Sequence, residues 1–232
     1  MNDIIKEEFS KLSESWKSAF GIQTEPEKKE FEDFLDEIER LYQENPDATP
    51  AKENIFRVFK LCPFEKVNVV FLGQDPYPNK DWACGLAFAF GNEDKPQQSI
   101  ANIFKELELE GFSPSSTSLT GWVDQGVLLM NTSLTFVKDH PELIDKWKKY
   151  TSHLLKKLSE NENIAFILLG SQAQKAVKFK SKGNVFKAGH PSNLYQTAKK
   201  YFFPQADKSL FKRCNEFLKS KGKNPIDWSR TK

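Results

Sequence analysis

VNVVFLGQDPYP, residues 67–78, passes from an apolar run into a polar turn. Five of its first six residues are Val, Phe or Leu, the composition of a buried central strand. Gly73 ends the run, Gln74 and Asp75 follow, and Pro76 fixes the backbone before Tyr77. In an open α/β sheet, ligands bind beyond the carboxyl ends of the strands, so an acid delivered there is placed for chemistry. Asp-Pro is also ordinary turn composition, and on this segment alone a solvated turn stands beside the active-site reading.

Similar runs recur downstream. Val127-Leu128-Leu129-Met130 stops at Asn131, residues 164–169 stop at Gly170-Ser171, and residues 185–188 stop at Gly189-His190-Pro191-Ser192. Between them lie helical periodicities: Ile100, Ile103, Phe104 and Leu107 in one interval, Ile144, Trp147, Leu154 and Leu155 in another. Strands alternating with helices predict an α/β fold, a three-layer α/β/α sandwich on a central, mostly parallel four-stranded sheet. Gly85 to Phe90 reads as either a strand or the wall of a pocket. Ahead of the first strand, Ile5, Phe9, Leu12, Trp16 and Phe20 predict one helix over 3–20, and a second follows over 27–44. Thr49-Pro50 reads as a cap and first-turn proline opening a short helix through Ile55, Phe56 and Phe59. Residues 1–232 are expected to form a single domain, with an N-terminal helical segment at about 1–48.

Composition narrows the function classes. The 232 residues include 20 Phe, ample for a core, and no run of about 18 apolar residues that would span a membrane. The first residues are charged and amphipathic, unlike a secretory signal, so the expectation is a cytoplasmic protein, or a nuclear one in a eukaryotic or viral source. Three cysteines without CxxC spacing and three scattered histidines give no metal signature, and no metal or cofactor is expected. Charge is uneven: residues 1–137 hold 13 Lys and Arg against 24 Asp and Glu, residues 138–232 hold 21 against 8. That pattern fits two solvated faces or a polyanion-binding side.

The strand exits carry Asp75, Asn131, Ser171 and His190, which a parallel sheet brings to one rim. No GxGxxG or Walker loop accompanies them. A carboxamide offers a donor beside an acceptor, which suits the edge of a pyrimidine, and Phe88 and Tyr77 could stack on a base and close its pocket. Phe88 as core and His190 as a structural histidine remain the plain alternatives.

GQDPY at 73–77, GLAF at 85–88, LTGW and QGVLLMN within 119–131, LLGSQAQK at 168–175, HPSNL at 190–194 and NPIDW at 224–228 closely resemble the family 1 uracil-DNA glycosylases, in family order. The resemblance implies an enzyme that flips uracil out of single- or double-stranded DNA and hydrolyses its N-glycosidic bond. Asp75 would orient water and stabilise the sugar cation, and His190 would hydrogen-bond the departing uracil as a neutral imidazole. Asn131 would read the base, Phe88 stack on it, Tyr77 exclude the thymine methyl, and Gln74 contact base or backbone. Ser99, Gly170, Ser171, Pro191 and Ser192 would meet the DNA around the lesion, and Leu194 would fill the vacated space. The same resemblance implies a monomer, no cofactor, and DNA-mimicking protein inhibitors among its partners. The chain departs from the family where Pro78 and Cys84 replace two usual histidines, where HPSNL replaces HPSPL, and after Leu194, where it is longer. Pro78 and Cys84 motivate the rival reading, a uracil-DNA-binding or sensing module with little catalysis.

Overall fold

The computed structural model describes residues 3–91, 98–177, 185–192 and 209–232. Strands β1 (Val69–Gly73), β2 (Val127–Asn131), β3 (Ala165–Leu169) and β4 (Val185–Ala188) form one sheet in the order β2-β1-β3-β4, with every pair parallel. Every residue of β1 and β3 is buried, which requires cover on both faces and accounts for their unbroken apolar runs. From β1 the chain goes to β2 on one side, and from β3 to β4 on the other. The connections therefore diverge between β1 and β3, and a crevice opens beyond their carboxyl ends.

The helices are α1 (Ile4–Ser10), α2 (Glu14–Ala19), α3 (Glu25–Glu44), α4 (Arg57–Leu61), α5 (Gln98–Leu109), α6 (Thr120–Val123), α7 (Glu142–Ser159), α8 (Ser171–Ala176) and α9 (Leu210–Ser220). Phe71 of β1 stacks on Trp122 of α6 and meets the edge of Phe211 of α9, fixing those helices against the sheet. Helices α3 and α7 pack through Phe31 on Tyr150 and Phe34 on Trp147. Among the described residues, no helix is long and apolar enough to cross a membrane.

Two local expectations change, and one left open is decided. The predicted helix over 3–20 is two helices, because the Ser13 hydroxyl accepts the Trp16 N–H and starts α2 afresh. Leu12 and Trp16 are buried on either side of the break, so the apolar spacing gives no sign of it. Thr49 caps no helix. Its backbone exchanges two hydrogen bonds with Phe136 (2.9 and 2.8 Å), which holds it extended, and its hydroxyl donates to the Tyr77 carbonyl. Helical turns begin only at Lys52. Residues 85–90 are no strand either: they lie against β2 through one bond, Ala87 N–H to Leu129 O at 2.9 Å, and form a wall.

Candidate active site

The site begins where β1 and β2 end together. Gly73 and Asn131 are register partners, and a Cβ on Gly73 would lie 2.2 Å from Asn131 Oδ1. Glycine is thus what leaves room for the carboxamide. The exits are tied by Thr132 N–H to Gly73 O (3.1 Å), Ser133 N–H to Gln74 O (2.8 Å) and Thr132 Oγ1 to Gln74 O (2.9 Å). Beyond Asp75, Tyr77 is held from three directions. Its carbonyl accepts from Thr49 Oγ1 at 2.6 Å, its hydroxyl donates to Phe88 O at 3.4 Å, and its ring packs edge-on against Phe90 and Trp82. Phe88 has φ +63°, a conformation rare outside glycine, and its ring packs 5.1 Å from Phe71. The base-stacking candidate and the tyrosine wall are therefore one locked unit.

Two titratable groups face the cavity with opposed shifts. Burial raises the Asp75 carboxyl above its usual range, partly offset by hydrogen bonds from the Gln74 side chain and its own backbone N–H. Burial lowers the His190 imidazole. His190 Nδ1 accepts the Ser192 N–H at 3.2 Å and lies 2.5 Å from Ser192 Oγ. A backbone N–H can only donate, so Nδ1 bears the lone pair and the proton of the neutral ring sits on Nε2. His190 is also backed by Gly170, where φ is +88° and a Cβ would approach the His190 Cβ to 2.8 Å.

Gln74, Asp75, Tyr77, Phe88, Ser99, Asn131, His190 and Ser192 line one cavity of about 230 Å³. Sites for drug-sized ligands run to ~300–1,000 Å³, so this one matches a single base better than a dinucleotide. Pro78 and Cys84, the two departures from the family pattern, line the same cavity. Gly170 stands behind His190, Ser171 is exposed at the start of α8, and Pro191 is buried beside His190. Leu194 lies outside the described residues. Among those described, no three His, Cys, Asp or Glu side chains gather as a metal site. Sequence reasoning missed Thr49, which holds the acid loop, and Asn102, whose Nδ2 donates to Pro191 O at 2.5 Å. Asn102 carries one available signal, a carboxamide on the inward side of α5 three residues after Ser99.

Comparison with known proteins leads to the same chemistry. Residues 59–219 match the model of the uracil DNA glycosylase superfamily. A uracil-DNA glycosylase of Phocaeicola vulgatus is 38% identical over 94% of this chain and 98% of its own length. One of Lactococcus lactis is 38% identical over 86% and 92%. A mimivirus UNG variant crystallised in complex with UGI superposes with a TM-score of 0.78 over 98% of this chain and 91% of that one, at 24% identity, a likeness of fold. The family match over residues 59–219, together with relatives 38% identical across nearly their whole length, shows that this protein belongs to the uracil-DNA glycosylase superfamily.

Proposed function

We infer that the protein is a monofunctional uracil-DNA glycosylase: it hydrolyses the bond between uracil N1 and deoxyribose C1′, releasing free uracil and an abasic site for repair. The observation that carries the residue roles is the convergence of Asp75, Asn131 and the Nε2–H of His190 on one base-sized cavity. The Asn131 carboxamide pairs with the uracil edge, with Phe88 against the ring face and Tyr77 where a thymine methyl would project. As the C1′–N1 bond breaks, its electron pair leaves with uracil, and His190 Nε2–H donates to the O2 that gathers this charge. The sugar becomes cationic. Asp75, desolvated in the ground state, gains an opposite charge only then, so its stabilisation falls on the transition state. Water adds to C1′ and loses a proton towards Asp75.

Ser99, Ser171 and Ser192 are the proposed phosphate contacts through their hydroxyls, with Gly170 and Pro191 proposed to lie against the DNA beside them and Leu194 proposed to enter the vacated stack. The protein acts as a monomer on single- and double-stranded DNA, in the cytoplasm or a nucleus, and a protein presenting DNA-like charge to this rim would compete with the substrate. The rival, a sensing module with little catalysis, draws on Pro78 and Cys84 in the cavity wall. Uracil release from both DNA forms, measured beside Pro78→His, separates them. Turnover by the parent, abolished by Asp75→Asn, supports the enzyme. Retention on uracil DNA without product, and a large gain in Pro78→His, supports the sensor.

A further inference from the structure

Asn102 sits in the second turn of α5 and is 4% exposed. An amide so deeply buried needs a partner, and it has one 89 residues away: Nδ2 donates to the carbonyl of Pro191 at 2.5 Å. That carbonyl lies within the turn that bears both His190 and Ser192. Upstream the chain is tied at Ala188 O, which accepts from the Gly170 N–H (3.0 Å) and Gln174 Nε2 (2.8 Å); within the turn the Ser192 N–H meets His190 Nδ1. This bond sets the ring tautomer but fixes the turn to nothing outside. Asn102 supplies an outside reference. Its helix carries Ser99 on the same side, in the cavity wall, and just past its other end Glu110 accepts the N–H groups of Phe211 (3.2 Å) and Lys212 (2.7 Å) at the start of α9. Helix α5 is therefore tied to α9 just past its far end, and its second turn holds the Pro191 carbonyl.

We propose that Asn102 is a positioning residue for uracil excision: by holding Pro191 O it sets the height and direction from which His190 Nε2–H meets the departing base. It rests on the assignment of His190 as the donor to uracil O2. Loss of the amide leaves the Pro191 carbonyl without its buried donor and frees the turn to rotate about Gly189. The bound substrate keeps its contacts to Asn131, Phe88 and Tyr77, so the loss falls on the chemical step.

Single-turnover uracil release from single-stranded DNA tests this with Asn102→Ala, His190→Ala and the double variant. Partners that orient a functional imidazole at metal sites are worth about 10- to 100-fold, and a loss of that order in rate is expected for Asn102→Ala, with KM little changed. In the His190→Ala background the same substitution should cost less than about threefold, since nothing remains for it to aim. A full, additive loss in that background, or an unchanged rate in Asn102→Ala alone, overturns the proposal. If His190→Ala itself costs nothing, the assignment of His190 falls instead. Asn102→Asp, which keeps the side-chain shape, guards against a folding defect. It regains a donor only when protonated, so its rate relative to the parent should rise as pH falls. A flat ratio counts against the proposal.

Discussion

At Gly73 one methyl group separates a working cavity from a blocked one. The position has no positive φ, so alanine suits the backbone, yet its Cβ would stand 2.2 Å from Asn131 Oδ1. Gly73→Ala should remain folded, destabilised by about 1–3 kcal/mol as overpacked sites are, and lose at least about tenfold in kcat/KM because the carboxamide must turn. Thermal unfolding beside uracil release checks this, and full activity would remove Asn131 from base reading. The paired shifts at Asp75 and His190 give a second outcome. Activity needs the carboxylate ionised and the imidazole neutral. With the first pKa raised by burial and the second lowered by it, the acid limb of kcat/KM should lie above that of an ordinary aspartate, and activity should not fall as pH rises through the ordinary imidazole range. A fall in activity across pH 6–7 on the alkaline side would mean that the cationic ring is the working form. Asp75, Asn131 and His190 were legible because each interrupts an apolar run. Thr49 and Asn102 were not, because they bind the backbone carbonyls of Tyr77 and Pro191, and no pattern of side chains marks a distant carbonyl.

The elements read from their apolar residues came out where burial is unbroken, as in β1, β2 and β3, or confined to one continuous face, as in α7. They failed where a side chain found a partner remote in sequence, as at Thr49, or where a local cap split a regular pattern, as at Ser13. Helix α5 shows a subtler failure. Its inward face was read from Ile100, Ile103, Phe104 and Leu107, but Phe104 is only partly buried, while Glu106 is buried, as is Glu110 just past its end. Burial, and the neighbouring Glu110, push the Glu106 carboxyl up to about 8, so it keeps its proton at neutral pH. Unfolded, it would ionise near its ordinary 4.5. Between those values the unfolded chain binds fewer protons than the folded one, so stability falls as pH rises through this window and levels off above about 8. Glu106→Gln keeps a donor and cannot ionise. Thermal melts at pH 5 and pH 8 should therefore differ less in the variant than in the parent, and an equal difference would mean that Glu106 is not the group responsible.

Over the whole molecule, the acidic first part and basic second part are partly turned towards each other. Lys146 pairs with Glu37 at 2.6 Å, and Lys149 pairs with Glu30, so the basic face of α7 answers the acidic face of α3. The site lies elsewhere, at the crevice where the connections of β1 and β3 diverge, lined by residues 73–78, His190 and Ser192 among others. Charge asymmetry in the sequence was consistent with a DNA-binding side, but a linear count cannot tell a lysine that meets phosphate from one that meets a neighbouring helix. Salt dependence can. Each phosphate neutralised by a lysine contributes roughly one unit to the slope of log affinity against log salt. The pairs on α7 are exposed, and each is worth about 0–1 kcal/mol of stability. Lys146→Gln with Lys149→Gln should therefore lower stability by no more than about 2 kcal/mol and leave the salt slope of uracil-DNA binding unchanged. A slope reduced by one to two units would place α7 against the DNA backbone and make the acidic helix α3 a competitor for its lysines.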